Sequence, residues 1–195
     1  MFGISFLDIS GSMGLAACGT LTINSILGMF LGTQIKNIIY WKQLPKFVNK
    51  YPIIDLHNFT AYSSIGFVCL HIFFLILHQE SSFTIIHLIN PLTAPKQPTI
   101  VLLGVLSFYS LLVILITSQK IIRKQLSFRA WKNIHLIAYS TYFLFLIHGI
   151  LMDPLLKDRP TDWLDAEKLF IEGCALTFVV SVLLRVRYHL KYKRA

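Results

Sequence analysis

Charged side chains are scarce: Asp, Glu, Lys and Arg make up 14% of the 195 residues, against 55% hydrophobic. A soluble domain carries about a quarter charged residues, so a water-facing globular surface is excluded and the class is integral membrane protein. Internal repeats, low-complexity tracts and long linkers are also missing, and the connections between apolar stretches leave no room for a soluble domain. Met1–Ser10 contains no Lys or Arg, so the basic leader of a cleavable signal is lacking and the first apolar stretch reads as a retained helix. Cys18, Cys69 and Cys174 show no Cys-x-x-Cys spacing; all fall within apolar spans and read as buried thiols that pack like small hydrophobes. No glycine-rich loop of Rossmann spacing occurs, which argues against a dinucleotide site in these residues.

What is present is a series of long apolar runs. A membrane helix needs about 20 mostly apolar residues, because its backbone N–H and C=O groups must all pair within the segment. The stretches 11–33, 56–78, 99–118, 134–153 and 168–185 meet that requirement, which predicts an all-α bundle of five transmembrane helices forming a single domain over residues 1–195. Glycines at 11, 14, 19, 28 and 32 predict close backbone packing of the first helix against a neighbour. Gln34–Tyr51, with four lysines among Ile, Trp, Phe and Val, predicts a helix lying in the membrane interface and ended by Pro52. His78–Pro98, with three prolines, reads as an irregular outer loop and Met152–Glu167 as the other outer loop. Trp41, Trp131 and Trp163 sit just beyond spans, as an aromatic belt requires.

The net charge of +9 is a matter of topology rather than of nucleic-acid binding. Most of the 18 Lys and Arg cluster after the first span, between the third and fourth, and after the fifth, while Asp8, Glu80, Asp153, Asp158, Asp162, Asp165 and Glu167 fall on the other side. The positive-inside rule therefore places the N-terminus outside and the C-terminus in the cytoplasm, with anionic lipid as the partner of the basic face.

Four of the seven histidines lie inside apolar spans: His57 and His71 in the second, His135 and His148 in the fourth. Ionisable groups are costly in lipid and are rarely kept without a partner, so two per helix in two helices ask for one explanation. At 1.5 Å per residue, His57 and His71 are about 21 Å apart and His135 and His148 about 20 Å, and both pairs fit a hydrocarbon core of about 30 Å. The two helices run in the same direction, so His57 can level with His135 and His71 with His148. Two imidazoles complete a six-coordinate haem, and two such pairs make two b haems stacked across the bilayer. Helical angles match less well: His71 returns to within roughly 40° of His57, whereas His148 stands roughly 140° from His135. The structural alternative, core histidines bonding between helices, explains one such residue better than four.

The pairs His57-x13-His71 and His135-x12-His148, with the run Arg129-Ala130-Trp131-Lys132-Asn133-Ile134-His135 and Tyr139, resemble the ferric reductase-like transmembrane domain family. That family includes ferric reductases, NADPH oxidases and the membrane haem subunit of the periplasmic methionine sulfoxide reductase system. The resemblance implies that His57, His71, His135 and His148 are axial ligands of two b haems, paired His57/His135 and His71/His148. It also implies electron transfer from a cytoplasmic-side donor to an outer acceptor, in an integral protein expected in a bacterial inner membrane. Longer members continue into a flavin and NAD(P)H domain and have six spans; here five spans and a short basic tail predict a separate flavoprotein or quinol as donor. Arg129 and Lys132, six and three residues before His135, are candidate partners of haem propionates. His78 and His87 are candidates for an outer site near the second haem, although a loop histidine is usually only solvated. His189 falls in the basic tail. A haem subunit of a larger respiratory complex and a histidine-lined metal or proton transporter remain as alternatives; few acids within spans, Glu172 apart, disfavour the transporter.

Overall fold

A computed structural model of the protein describes residues 5–31, 52–156 and 166–192. Five long helices form there: α1 (Phe6–Leu31), α2 (Ile53–Leu77), α3 (Pro98–Ser118), α4 (Phe128–Leu156) and α5 (Ala166–Tyr192). Each contains a stretch long and apolar enough to cross a membrane, and the described residues hold no strand. The expected all-α bundle is therefore found. The interfacial helix expected over Gln34–Tyr51, together with Trp41 and Trp163, lies outside the described residues.

The helices start where local chemistry satisfies their first N–H groups, not where hydropathy begins. Ser5 and Asp8 exchange hydrogen bonds in a capping box, Asp8 N–H donating to Ser5 Oγ at 3.1 Å and Ser5 N–H to Asp8 Oδ2 at 3.2 Å. Ser127 Oγ accepts from Ala130 N–H at 3.2 Å, so α4 begins six residues before the apolar span. That extension carries Trp131 into the first turns of α4 rather than beyond a span. α4 also continues past Met152 to Leu156, shortening the expected second outer loop from its N-terminal side. At the other end of α1, an Arg185 guanidinium N–H donates to the Met29 carbonyl in the last turn, where a cation also suits the helix dipole.

Packing divides the bundle into two close pairs. α1 lies along α2 and α3 along α4; α1 also touches α4 and α5. α2 and α4, which carry the histidines, are not packed closely on each other. One core joins α1, α4 and α5 through Cys18, Leu21, Tyr142, Leu146, Cys174 and Phe178. The other joins α2, α3 and α4 to the segment between α2 and α3 through Leu75, Phe83, Ala94, Val101 and Met152.

Two expectations need correction. The segment after α2 is not irregular: it folds into two 3₁₀ turns, Gln79–Ser81 and Pro91–Thr93, and a short helix, Ile86–Ile89, with Phe83, Pro91 and Ala94 buried. Ser81 Oγ donates to the Leu75 and His78 carbonyls at 3.0 and 2.7 Å and accepts from Phe83 N–H at 3.2 Å, which supplies backbone pairing that the prolines cannot. Cys69 is exposed on the outer face of the bundle, unlike the buried Cys18 and Cys174, because apolar residues in a membrane protein face lipid as readily as the core.

Candidate cofactor site

The gap between α2 and α4 is bridged by imidazoles. His57 faces His135 with ring centroids 6.1 Å apart, and His71 faces His148 at 6.5 Å. A metal–imidazole bond of about 2.0–2.1 Å plus roughly 1.1 Å from nitrogen to ring centre puts two trans imidazoles roughly 6.2–6.4 Å apart, so each pair has the spacing that one metal ion between them needs. The 140° offset of His148 from His135 on a straight helix does not prevent either pair from forming.

Three of these rings are held by the same device. His71 Nδ1 lies 2.8 Å from the Ser10 carbonyl, His57 Nδ1 3.1 Å from that of Asn24, and His148 Nδ1 2.9 Å from that of Ile100. A carbonyl cannot donate, so the proton is on Nδ1 and the lone pair on Nε2, the state in which imidazole binds a metal. Each accepting carbonyl is followed four residues later by glycine: Gly14, Gly28 and Gly104. A Cβ there would come within 3.3 Å of the His71 ring, 3.2 Å of His57 and 2.7 Å of His148. Glycine is thus what lets each ring approach a carbonyl already used inside its own helix, taking the second lone pair.

On α1 the device is repeated and reciprocal. Ser10 Oγ donates to the His71 carbonyl at 2.8 Å, and Asn24 Nδ2 to the His57 carbonyl at 2.6 Å and to Thr60 Oγ1 at 2.9 Å. Between them Ser64 Oγ donates to Thr20 Oγ1 at 3.0 Å. Ser10 and Gly14 precede Asn24 and Gly28 by the same 14 residues that separate His57 from His71, so antiparallel α1 and α2 hold one register across both sites.

Among the described residues His135 has no such support. Its Nδ1 is 3.4 Å from Ser118 Oγ, an exposed hydroxyl on the last residue of α3, and its ring stacks on Trp131 at 5.0 Å and 24°. Trp131 in turn lies beneath Arg123, 4.5 Å from guanidinium carbon to ring centre.

A cleft with about 1150 Å³ free of protein atoms, including its open part, surrounds the His71–His148 pair. Its walls are apolar, with Val68, Leu75, Val101, Val105 and Phe145 among them, and Phe83 and Leu88 of the folded segment after α2 contribute as well. Such a space suits a large planar apolar group with few polar contacts. Among the described residues no group of three or more His, Cys, Asp or Glu side chains is placed to hold a bare metal ion. Two axial nitrogens suffice only if the remaining ligands come with the metal, as a macrocycle provides.

The remaining candidates lie near the helix ends and in the segment after α2. Arg129 and Lys132 are exposed in the first turns of α4, and it is Trp131 between them that reaches His135. His78 ends α2 and is not among the residues lining the cleft. His87 accepts from Thr84 N–H at 2.9 Å and packs on Phe83, holding the folded segment together. Sequence reasoning took Gly14 and Gly28 only as helix-packing residues and did not single out Ser10, Asn24 or Gly104; the matched 14-residue spacing on the first two spans was the signal that could have tied Ser10, Gly14, Asn24 and Gly28 to the histidines.

A bundle with paired imidazoles between two of its helices defines an integral membrane protein with two candidate cofactor sites. Residues 13–147 match the family model for the ferric reductase like transmembrane component, and the chain belongs to that family. The match includes His57, His71 and His135 and stops one residue short of His148. Comparison with curated proteins and with solved structures returns no match. Family membership supports a membrane redox role for the chain.

Proposed function

We propose that the protein is a membrane cytochrome b with two bis-histidine b haems, one between His57 and His135 and one between His71 and His148, moving electrons from a cytoplasmic-side donor to an acceptor outside. The observation that carries this reading is the spacing of the two imidazole pairs, 6.1 and 6.5 Å between centroids, in helices that otherwise stand apart. Bound haem supplies one-electron chemistry that no side chain can carry through lipid. The chain's own residues orient and insulate. The carbonyls of Ser10, Asn24 and Ile100 hold Nδ1 protonated and direct Nε2 outward, and the apolar walls keep water away, which favours electron transfer over side reactions. Arg129 and Lys132, with Arg123 beside Trp131, offer cations to propionates at the His57–His135 end.

The donor in this reading is a separate flavoprotein or quinol, and the basic clusters make the His57–His135 end the cytoplasmic one. An absorption spectrum of the purified protein, oxidised and dithionite-reduced, tests the proposal. It should show low-spin b haem at about two per chain, released by acid-acetone because no Cys-x-x-Cys-His attachment motif is present. A folded protein without haem would overturn it.

A further inference from the structure

The segment between α2 and α3 is apolar on its exposed side as well as on its buried one. Ile85, Ile86, Ile89 and Leu92 are 65, 62, 80 and 60% exposed. No Asp, Glu, Lys or Arg occurs from Ser81 to Pro95, and Glu80 and Lys96 bound the stretch. Four large aliphatic side chains exposed so close together mark a contact surface rather than a loop standing in water.

The segment also lies deeper than a loop joining two helix ends. Tyr109 Oη donates to the Leu88 carbonyl at 3.1 Å. Tyr109 stands 11 residues after Pro98, the first residue of α3, which is about 16 Å along the axis. A helical side chain leans back over about one turn, so the Leu88 carbonyl lies beside α3 and not beyond its end. Leu88 packs accordingly on the core that holds Leu75, Val101 and Val105. Leu106 and Val113, on the same face of α3 as Tyr109, are exposed on a helix apolar enough to cross a membrane, and the exposed isoleucines continue that surface. Chain that enters the acyl layer must pair its own backbone. Here Phe83 N–H donates to Ser81 Oγ at 3.2 Å, Thr84 N–H to His87 Nδ1 at 2.9 Å, Asn90 N–H to the Ile86 carbonyl at 2.8 Å and Ala94 N–H to that of Pro91 at 3.1 Å.

We propose that this segment is inserted in the bilayer, with Ile85, Ile86, Ile89 and Leu92 in the acyl chains about 5–10 Å below the headgroups. Phe83 and Leu88 on its other side line the cleft around His71 and His148. The segment is then a wall with lipid on one side and the cofactor cleft on the other, and water-soluble reactants do not reach the cleft across it.

Spin labels on the full chain in phosphatidylcholine–phosphatidylglycerol vesicles test this, through their collisions with oxygen, which concentrates in acyl chains, and with a water-soluble nickel chelate. The background is Cys69→Ser, because Cys69 is exposed while Cys18 and Cys174 are buried. Labels at Ile86→Cys and Ile89→Cys should meet oxygen more than nickel. Their oxygen-to-nickel ratios should fall between that of Val113→Cys on the face of α3 and that of Glu80→Cys at the edge of the segment. Nickel preference at positions 86 and 89 would place the segment in water, and poor access to both reagents would place it against protein; either overturns the proposal. Nickel preference at Val113→Cys as well would overturn insertion of α3 itself.

Discussion

The two ends of the bundle carry the same pair of side chains in different surroundings. At the His71–His148 end both imidazoles are bonded to carbonyls of other helices, both lie against glycine, and the folded segment after α2 contributes Phe83 and Leu88 to the walls. At the His57–His135 end, among the described residues, only His57 is held in this way, while His135 rests on Trp131 and a helix-end hydroxyl. The comparison teaches that α2 and α4 supply the rings, whereas α1 and α3 decide how firmly each is presented.

Removing rings should have the largest effect. His71→Ala or His148→Ala should each cost one haem of about two, and the same one; His57→Ala together with His135→Ala should cost the other. Haem content and the remaining spectrum check this, and loss of both haems from a folded double variant would refute separate sites.

Next in size is Gly104→Ala, whose new Cβ would stand 2.7 Å from the His148 ring. Overpacking costs about 1–3 kcal/mol, more than the roughly 1 kcal/mol by which alanine favours a helix, and a displaced ligand typically loses 10–100-fold in metal affinity. The haem at that end alone should be depleted. Gly66→Ala, where a Cβ would meet nothing within 4 Å, should leave haem content unchanged in the same assay.

Asn24→Leu removes the two Nδ2 donations, to the His57 carbonyl and Thr60, without changing size much. A loss of about 1–3 kcal/mol is expected, with weakening confined to the His57–His135 haem. Thermal unfolding followed at the haem band measures it, and equal weakening of the other haem would show that the clasps are not local. Ser10→Ala should do least, because the carbonyl that accepts from His71 stays in place. A loss of about 0.5–1.5 kcal/mol in thermal stability, with both haems retained, is the expected result, and loss of the His71–His148 haem would mean that the hydroxyl rather than the carbonyl holds the ring.

Much of this was readable beforehand, because lipid is a simple solvent with strict demands. Five apolar runs gave five helices, and only the ends moved, where Ser127 and the Ser5–Asp8 box cap N–H groups that hydropathy does not register. His57, His71, His135 and His148 stood out because ionisable groups are rare in such runs. Trp131 was read only as a belt residue just beyond a span, yet it stacks on His135; stacking depends on the helix face, which separation in sequence describes poorly.

The helical membrane bundle, the four histidines and their matched depths follow from the chain alone, through hydropathy and a fixed rise per residue. Tertiary packing set the rest: α1 and α3 clasp three of the rings through a carbonyl and a glycine four residues on, and among the described residues no such clasp reaches His135. The reason is that a hydrogen bond of 2.8–3.1 Å between helices depends on register and close approach. Spacing within one helix restricts that register, but packing against its neighbour sets it.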